Sequence, residues 1–343
     1  MTNELTKTYL PGYDVIGDIH GNAEKLEGLL VQMGYVEDSV NFRVAYRHPV
    51  RQAIFVGDLI DRGPSQERCL EVVKAMTDAG SAQCVLGNHE LNALAYAALD
   101  PETGEFCRPH KSSNRKQHAE FLDQMGRATR EYYLDWFRTL PLWLDLGELR
   151  VIHACWHEPS RLFVERELGG NTFATLADQI RATTKRDKNE LFVAVELLLK
   201  GPETNLRDYG LPYFQDKDGK ARHDARLRWW VENTDLVADL VELPAGARTV
   251  DGTLYPEIDP NLHVNHADII RVTGDTPVIY GHYWRRWATG DAIRADWRPP
   301  YGLDWTKKTA CVDFASVKGG PLVAYQWNLG DVEINAGQYA AYR

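Results

Sequence analysis

The first ninety residues contain three short apolar runs, and polar residues that can bind a metal follow a glycine at the end of each. The runs are YDVIGDIHG (13–21), AIFVGD (53–58) and QCVLGNHE (83–90). Segments with apolar residues at helical spacing separate them and end at Gly34 and Gly80. This alternation predicts parallel strands, whose carboxyl ends lie at one edge of a sheet. We therefore expect the three polar clusters to meet.

Two later apolar runs end in histidine. LRVIHACW (149–156) contains His153, and PVIYGHYW (277–284) contains His282. The five runs together supply carboxylate, amide and imidazole side chains, a mixture that suits Mn, Fe or Zn better than Ca, which prefers oxygen ligands alone. The candidate metal ligands are Asp18, His20, Asp58, Asn88, His153 and His282.

Composition and charge restrict the class of protein. Hydrophobic residues make up 44% of the 343 residues and charged residues 26%, as in ordinary folded proteins. The net charge of −10 disfavours non-specific binding to nucleic acid or to anionic membranes. No apolar run approaches the roughly 18 residues of a membrane span, and the five cysteines form no C-x-x-C pair. We therefore expect free thiols and a cytoplasmic location.

The motifs GDIHG (17–21), GDLIDRGP (57–64) and GNHE (87–90), followed by two separate histidines, resemble the metallophosphoesterase (calcineurin-like) superfamily in its phosphoprotein-phosphatase branch. The resemblance covers residues 13–157 and 277–327. In pattern it is most similar to bacterial dinucleoside-polyphosphate hydrolases and to the phosphatase modules of RNA-repair enzymes. It implies an α/β fold in which a β-sandwich of mixed sheets, flanked by helices, carries the site.

The same resemblance implies two divalent metal ions. Mn²⁺ is the metal we expect, with Fe, Zn, Ni or Co as alternatives. The implied ligands of one ion are Asp18, His20 and Asp58, and those of the other are Asp58, Asn88, His153 and His282. Asp58 would therefore bridge the two ions.

The resemblance also implies roles for the neighbouring residues. Arg62 and Asn88 would bind the phosphate, His89 would protonate the leaving group, and Asp61 would orient His89. Hydroxide that bridges the two metals would attack phosphorus directly, without a covalent intermediate. Taken singly, Asp61 and Arg62 would be interpreted as an ion pair at a turn. Glu90 is interpreted as a structural hydrogen-bond partner.

Three residues near the C-terminal runs have two interpretations each. Asp313, in TACVDFAS, is either a turn residue or an acid that supports a ligand histidine. Trp284 and Arg285 follow His282 in GHYWRRW (281–287). They either bind substrate, with Trp284 stacked on a base and Arg285 on a second phosphate, or pack in the protein interior.

The residues between the last two ligand runs match no part of the family pattern. We predict a single domain over residues 1–343, in which residues 158–275 form a mainly helical cap insertion. Helical periodicity predicts helices at 190–201 and 225–243 within this insertion. The glycine pair at 319–320 predicts a hairpin turn.

These features predict a metal-dependent phosphoesterase that hydrolyses phosphate monoesters on small or nucleotide-type substrates. The alternatives are hydrolysis of dinucleoside polyphosphates, dephosphorylation of Ser, Thr or Tyr in proteins, and a module that binds phosphorylated ligands without catalysis. ACW follows His153 where protein phosphatases usually have two glycines. The basic segment CRPHKSSNRKQH (107–118) is interpreted as a solvated loop, with binding of extra phosphates as the alternative.

Overall fold

The computed structural model describes residues 12–40, 43–186, 189–216, 219–244, 246–285 and 306–343. The strands are β1 (Gly12–Ile16), β2 (Val36–Val40), β3 (Arg43–Arg47), β4 (Arg51–Phe55), β5 (Ala82–Cys84), β6 (Trp143–Asp145), β7 (Arg150–Ile152), β8 (Glu203–Asn205), β9 (Phe214–Gln215), β10 (Ala221–Arg222), β11 (Asp224–Leu227), β12 (Val241–Glu242), β13 (Val278–Tyr280), β14 (Thr309–Cys311), β15 (Leu322–Asn328) and β16 (Tyr339–Tyr342). The helices are α1 (Ala23–Gln32), α2 (Gln66–Asp78), α3 (Asn88–Ala97), α4 (Ser112–Gln117), α5 (Ala119–Gln124), α6 (Arg127–Thr139), α7 (Glu158–Leu168), α8 (Leu176–Thr183), α9 (Glu190–Lys200) and α10 (Val237–Leu240). Short 3-10 helices span Leu206–Tyr209, His266–Asp268, Ser316–Lys318 and Ala336–Gln338.

The first three apolar runs form the neighbouring strands β1, β4 and β5 on one side of a five-stranded sheet with the order β16-β15-β1-β4-β5. β1, β4 and β5 are parallel, which confirms the prediction from the sequence. β15 and β16 extend the sheet in antiparallel pairing, so the sheet is mixed. The central strands are continuous apolar runs because both of their faces are buried.

A second sheet, with the order β14-β13-β7-β6, packs against the first. β14, β13 and β7 are parallel, and β6 is antiparallel to β7. Apolar side chains from both sheets form one buried cluster between them, as in a β-sandwich. The cluster includes Val15, Ile54, Tyr325 and Trp327 from the first sheet, Val151, Ile279 and Ala310 from the second, and Val56 and Val312, which directly follow β4 and β14. The predicted sandwich of mixed sheets is confirmed.

Helices cover the other face of the first sheet. Ile16 and Phe55 share a buried cluster with Leu26 and Leu29 of α1 and with Val72 of α2. The apolar residues of α1 and α2 recur at three- and four-residue spacing, which gives each helix one buried face. The helical flank implied by the family resemblance is therefore present.

Backbone hydrogen bonds join the loops at the carboxyl ends of the strands. His20 N–H donates to the carbonyl of Asp58 (2.9 Å), and Gly281 N–H donates to the carbonyl of His153 (2.8 Å). These bonds connect the loop after β1 with that after β4, and the loop after β13 with that after β7. The hydrogen bond from His153 Nδ1–H to the carbonyl of Val56 (2.7 Å) joins the two sheets, so the ligand-type residues of both lie at one edge of the sandwich.

The insertion at 158–275 contains helices α7, α8 and α9 up to Lys200, followed by short strands between Glu203 and Glu242. The helix predicted at 190–201 is confirmed as α9. The helix predicted at 225–243 is wrong, because β11 pairs with β8 and β12 and only α10 is helical there. Trp229 and Trp230 are buried after β11, with ring centroids 4.9 and 5.1 Å from that of Tyr280. Strand pairing and burial of two indoles override the helical periodicity of this segment.

The insertion contacts the rest of the protein through backbone and side-chain hydrogen bonds. Leu198 of α9 accepts hydrogen bonds from the N–H groups of Ala154 (3.3 Å) and Cys155 (3.0 Å). The side-chain amide of Gln179 donates to the carbonyl of Leu94 (3.0 Å). Residues of the insertion also belong to the large buried cluster that includes α1 and α2. Its description as a cap within one domain stays a prediction.

Two local predictions from the sequence differ from the structure. The strand predicted over 83–90 ends at Cys84, and Asn88 begins α3, so the GNHE motif lies at the start of a helix. The hairpin predicted at 319–320 is wrong, because β14 and β15 belong to different sheets. Gly319 instead ends a 3-10 helix with φ 86°, in the left-handed region that glycine adopts without strain.

Among the described residues, no helix has both the length and the apolar character needed to cross a bilayer.

Candidate active site

The site is built on turns in which side-chain-bearing residues adopt a left-handed backbone. These residues are His20 (φ 49°), Asp58 (φ 51°), Asp61 (φ 70°), Arg62 (φ 70°) and His282 (φ 63°). Each such conformation is unfavourable for a residue with a Cβ atom and persists only where the surroundings enforce it. Strained turns of this kind cluster at functional sites, and here all five lie at the edge where the strand ends meet.

Glu90 holds the turn after β4. Its carboxylate accepts hydrogen bonds from the backbone N–H groups of Asp58 (2.8 Å), Leu59 (2.8 Å) and Gly87 (3.1 Å). A Cβ atom at Gly87 would lie 2.2 Å from the Asp58 nitrogen, so only glycine permits this close approach. The interpretation of Glu90 as a structural hydrogen-bond partner is confirmed.

One group of possible metal-binding atoms comprises His20, Asp58 and His89. The Nε2 atoms of His20 and His89 lie 3.6 and 3.8 Å from Asp58 Oδ2. His20 Nδ1–H donates to the carbonyl of Ile60 (2.8 Å), and burial lowers the pKa of His20 well below its usual value. The neutral ring therefore presents the Nε2 lone pair to this group. The group includes His89, which the resemblance assigns to catalysis, and does not include Asp18.

A second group comprises Asp58, His153 and His282, and Asn88 joins it. Asn88 Oδ1 lies 3.0 Å from His153 Nε2 and 2.8 Å from His282 Nδ1. Asp58 Oδ1 lies 3.4 Å from His153 Nε2. Asp58 is thus common to both groups, as a bridging ligand would be.

The protonation state of His153 provides a test of whether this group suits a cation. His153 Nδ1–H donates to the carbonyl of Val56 (2.7 Å), and burial lowers the pKa of His153 to about 4. Its Nε2 therefore carries a lone pair, which faces the carbonyl oxygen of Asn88. Two buried acceptors that face each other repel, and a bound cation would satisfy both. These residues fit a divalent metal.

Asp18 lies beside a second acid at the rim of this group. Its carboxylate accepts hydrogen bonds from the backbone N–H of His282 (3.3 Å to each oxygen). Burial, followed by the negative charges of Asp313 and Asp58, raises the pKa of Asp18 well above its usual value. Asp313 accepts a hydrogen bond from the backbone of Ala315 (2.9 Å), and the support of a ligand histidine by Asp313 stays a prediction.

Arg62 and the His89–Asp61 pair lie next to the first group. The guanidinium of Arg62 donates to His20 Nε2 (2.5 Å) and to His89 Nε2 (2.9 Å). On its other side, the His89 ring donates from Nδ1 to Asp61 Oδ2 (2.5 Å). Arg62 is exposed, whereas His89 and Asp61 are buried. The predicted acid therefore has an oriented ring whose Nε2 points towards the exposed cation.

Two further residues of this region were not found from the sequence. His118 donates from Nδ1 to Asp61 Oδ2 (2.8 Å) and is buried, so the interpretation of 107–118 as a solvated loop is wrong for this residue. Arg226, in the insertion, donates to the backbone carbonyl of His282 (3.4 Å), and its charge follows burial among the causes that lower the pKa of His282. No local pattern identifies either residue, because each reaches the site only through folding of a segment with no family motif.

Trp284 and Arg285 have different surroundings. The ring of Trp284 lies 5.1 Å from the guanidinium carbon of Arg62 and 3.7 Å from Nζ of Lys318. Arg285 is 9% exposed, and its guanidinium pairs with Glu242 (2.6 Å). Trp284 therefore lies beside the predicted phosphate-binding cation, whereas the charge of Arg285 is compensated by an acid of the insertion. The rest of GHYWRRW, residues 286 and 287, lies outside the described residues.

Comparison with known proteins confirms the resemblance. A family model described as calcineurin-like phosphoesterase matches residues 13–325. The chain is 32% identical over 280 residues to a symmetrical bis(5'-nucleosyl)-tetraphosphatase of Aromatoleum aromaticum, and the match covers 78% of this chain and 81% of that protein.

Other similarities are more limited. An asymmetrical bis(5'-nucleosyl)-tetraphosphatase of Oceanobacillus iheyensis is 26% identical over 174 residues, which cover 48% of this chain and 64% of that protein. The match thus spans less than two thirds of that relative. A crystal structure of a cold-active protein-tyrosine phosphatase from a psychrophilic Shewanella is 15% identical, with a TM-score of 0.46 over 97% of this chain and 81% of that one. Because the family model matches most of the sequence, this chain belongs to the calcineurin-like phosphoesterase family.

Proposed function

We propose that this chain is a metal-dependent hydrolase of nucleotide-type phosphate compounds, with dinucleoside polyphosphates as the first substrates to test. The observation that carries the proposal is the pair of ligand groups that share Asp58, with Arg62 and His89 at their edge. The relatives whose names specify bis(5'-nucleosyl)-tetraphosphate support the choice of substrate class. Hydrolysis of simpler phosphate monoesters and of phosphoproteins are the alternatives.

The metal ligands that we propose are those implied by the family. His20 and Asp18 would hold one ion with Asp58, and Asn88, His153 and His282 would hold the other. Bound divalent cations supply charge for the phosphoryl oxygens and lower the pKa of water. Mn²⁺ is the ion that we propose, because nitrogen and oxygen ligands are mixed in both groups.

Arg62 and His89 act on opposite parts of the substrate. Arg62 is exposed and presents a planar guanidinium that can bind two phosphate oxygens. Burial lowers the pKa of His89 well below its usual value, and the positive charge of Arg62 adds to this effect. A phosphate dianion on Arg62 would offset that positive charge and favour the protonated His89 ring. His89 could then donate its Nε2 proton to the leaving oxygen, while Asp61 stabilises the ring.

Metal removal should abolish the activity. Chelation followed by desalting is expected to leave less than about 1% of the phosphatase activity, and added Mn²⁺ should restore it, since charge compensation supplies several kcal/mol of the rate enhancement. Metal analysis of the reloaded protein should give two ions per chain. Saturation at one ion per chain, or full activity after chelation, would contradict the two-metal proposal.

Trp284 and Arg285 provide a test of where the nucleotide binds. Stacking on a base contributes about 1 to 3 kcal/mol, so Trp284→Ala should lower kcat/KM on nucleotides roughly 5- to 150-fold. Turnover of p-nitrophenyl phosphate and the melting temperature should be unchanged. Arg285→Ala is the matched comparison: because Arg285 is buried against Glu242, it should lower the melting temperature. A uniform loss on all substrates in the Trp284 variant would show that this ring only packs.

A substrate panel tests the proposal as a whole. Initial rates with Mn²⁺ are compared on diadenosine tetraphosphate, mononucleotides, p-nitrophenyl phosphate and phosphopeptides. We expect the highest kcat/KM on a nucleotide compound. Preference for phosphopeptides would favour the protein-phosphatase alternative, and binding without turnover on every substrate would favour a non-catalytic module.

The cellular location is a separate proposal. The described cysteines form no disulfide, and four of them, Cys69, Cys84, Cys155 and Cys311, are buried. Free buried thiols are typical of a reducing compartment. We therefore propose the cytoplasm, which cell fractionation would test.

A further inference from the structure

A second buried histidine contacts the acid that orients His89. His118 is the residue at which α4 ends and α5 begins, and it is 1% exposed. Its Nδ1 lies 2.8 Å from Asp61 Oδ2, the same oxygen that accepts from His89 Nδ1 at 2.5 Å. Asp61 therefore lies between two imidazole rings and accepts a hydrogen bond from each.

Because Asp61 is buried, its carboxylate depends on hydrogen bonds from neighbouring side chains. Its carboxyl group is fully buried, and burial raises the pKa of Asp61, whereas the hydrogen bond from His118 opposes that rise. Among the described residues, Asp61 Oδ1 has no hydrogen-bond partner. The two histidine rings therefore provide the side-chain hydrogen bonds seen at this carboxylate. Without His118, the carboxylate would keep only the bond from the residue that it has to orient.

The segment that carries His118 is attached to the helix that carries His89. Arg108 donates to Asn92 of α3 (3.0 Å) and to Gln117 of α4 (2.7 Å). The ring of Tyr96, also in α3, lies 5.6 Å from the His118 ring in an edge-on arrangement. These contacts fix His118 relative to α3. The same helix therefore determines the distances from Asp61 to both His118 and His89.

We propose that His118 is a positioning residue for phosphate-ester hydrolysis: its Nδ1–H bond holds the Asp61 carboxylate in the orientation that directs His89 Nε2 towards the leaving group. This inference rests on the proposed function, in which His89 is the acid. Because the Nδ1 hydrogen bond of His118 is made to the Asp61 carboxylate, His118 acts on His89 through Asp61.

The alternative is that His118 only stabilises the junction of α4 and α5. Its backbone N–H donates to the carbonyls of Asn114 (3.2 Å) and Arg115 (3.1 Å), and any residue except proline would keep those bonds. A purely structural side chain would, when replaced, lower the stability and reduce turnover equally on every substrate. A positioning residue would instead affect the substrates whose leaving group needs a proton.

Three substitutions at this position separate the two roles. His118→Phe keeps a ring but removes the donor, His118→Asn places an amide N–H near the position of Nδ1, and His118→Gln places it near that of Nε2. On an alkyl phosphate, the Phe and Gln variants should lose roughly 10- to 100-fold in kcat with little change in KM, and Asn should recover most of this loss. On p-nitrophenyl phosphate, all three should stay within about threefold of the wild type, since its phenolate leaves without a proton.

His110→Phe is the matched control. His110 lies in the same segment, is exposed, and stacks between Tyr96 and Phe106 at 3.9 Å from each ring. Its Nε2 hydrogen-bonds to the backbone carbonyl of Tyr96 (2.8 Å) and not to Asp61, so a phenyl ring should keep the stack and leave both activities unchanged. A selective loss in this variant would show that any disturbance of the segment affects catalysis, and would overturn the inference.

The double variant provides the decisive comparison. If His118 acts only through His89, His89→Asn combined with His118→Phe should be no slower on the alkyl phosphate than His89→Asn alone. The role of His118 would be overturned if the two substitutions lowered kcat multiplicatively, or if the His118 variants lost equal activity on both substrates. It would also be overturned if His118→Asn were no faster than His118→Gln on the alkyl phosphate. If the Phe variant does not fold, the comparison of Asn with Gln decides the question.

The outcome for His89 alone distinguishes this inference from the proposed function. If His89→Asn shows a selective loss and the His118 variants do not, only the role of His118 fails. If His89→Asn itself shows no selectivity, the acid assignment fails and the inference fails with it.

Discussion

Asp58→Asn is expected to reduce phosphatase activity by more than about 10³-fold, because Asp58 belongs to both ligand groups. An amide at this position keeps the shape of the side chain but has no negative charge to share between two cations. The hydrogen bond from His89 N–H to Asp58 Oδ1 (2.9 Å) can still form to an amide oxygen, so the fold should be retained. Initial rates with excess Mn²⁺ and metal analysis of the same sample measure both effects.

Asp275→Asn is the control for this substitution. The Asp275 side chain is 99% exposed and pairs with Lys308 on the surface, so the same chemical change should leave activity and metal content unaltered. Two ions per chain and undiminished turnover in Asp58→Asn would show that Asp58 does not bridge metals. A lower melting temperature together with unaltered metal content would show a structural role instead.

His89→Asn is expected to have the second largest effect, and one that depends on the leaving group. General acid catalysis contributes about 10²- to 10⁴-fold, so a loss of this size is expected on alkyl phosphates. The loss on p-nitrophenyl phosphate should be far smaller, because its leaving group is stable as an anion. The comparison of kcat on these two substrates, at equal metal content, measures the role of the acid.

The structure makes metal analysis essential in that experiment. His89 Nε2 lies 3.8 Å from Asp58 Oδ2 and belongs to the same group of ligand atoms as His20. If His89→Asn loses one metal ion, His89 is a ligand and not the acid. If kcat falls equally on both substrates while two ions stay bound, His89 is neither a metal ligand nor the general acid.

The sequence predicts most of this site because its residues are local to strand ends. Asp18, His20, Asp58 and Asn88 each follow an apolar run, and the order of strands and helices implies that those ends meet. Backbone geometry then explains why glycine recurs: Gly87 must approach Asp58 within a distance that no Cβ atom allows. Such features depend on a few neighbouring residues, so they can be predicted from the sequence.

The segment 225–243 shows where sequence patterns fail. Its apolar spacing is compatible with a helix, yet β11 pairs with two other strands and the indoles of Trp229 and Trp230 pack on Tyr280. Those partners are distant in the chain, so periodicity within the segment contains no information about them. The same segment brings Arg226 to the backbone of His282, a contact that no motif indicates.

The sequence by itself determined the family, the parallel strands and the candidate metal ligands, since each of these depends on motifs of a few neighbouring residues. Tertiary structure alone decided that His118 shares Asp61 with His89, that Arg285 pairs with Glu242, and that Trp284 lies beside Arg62. These contacts join residues 28 to 222 positions apart, where packing of the whole chain, rather than local propensity, determines which side chains meet.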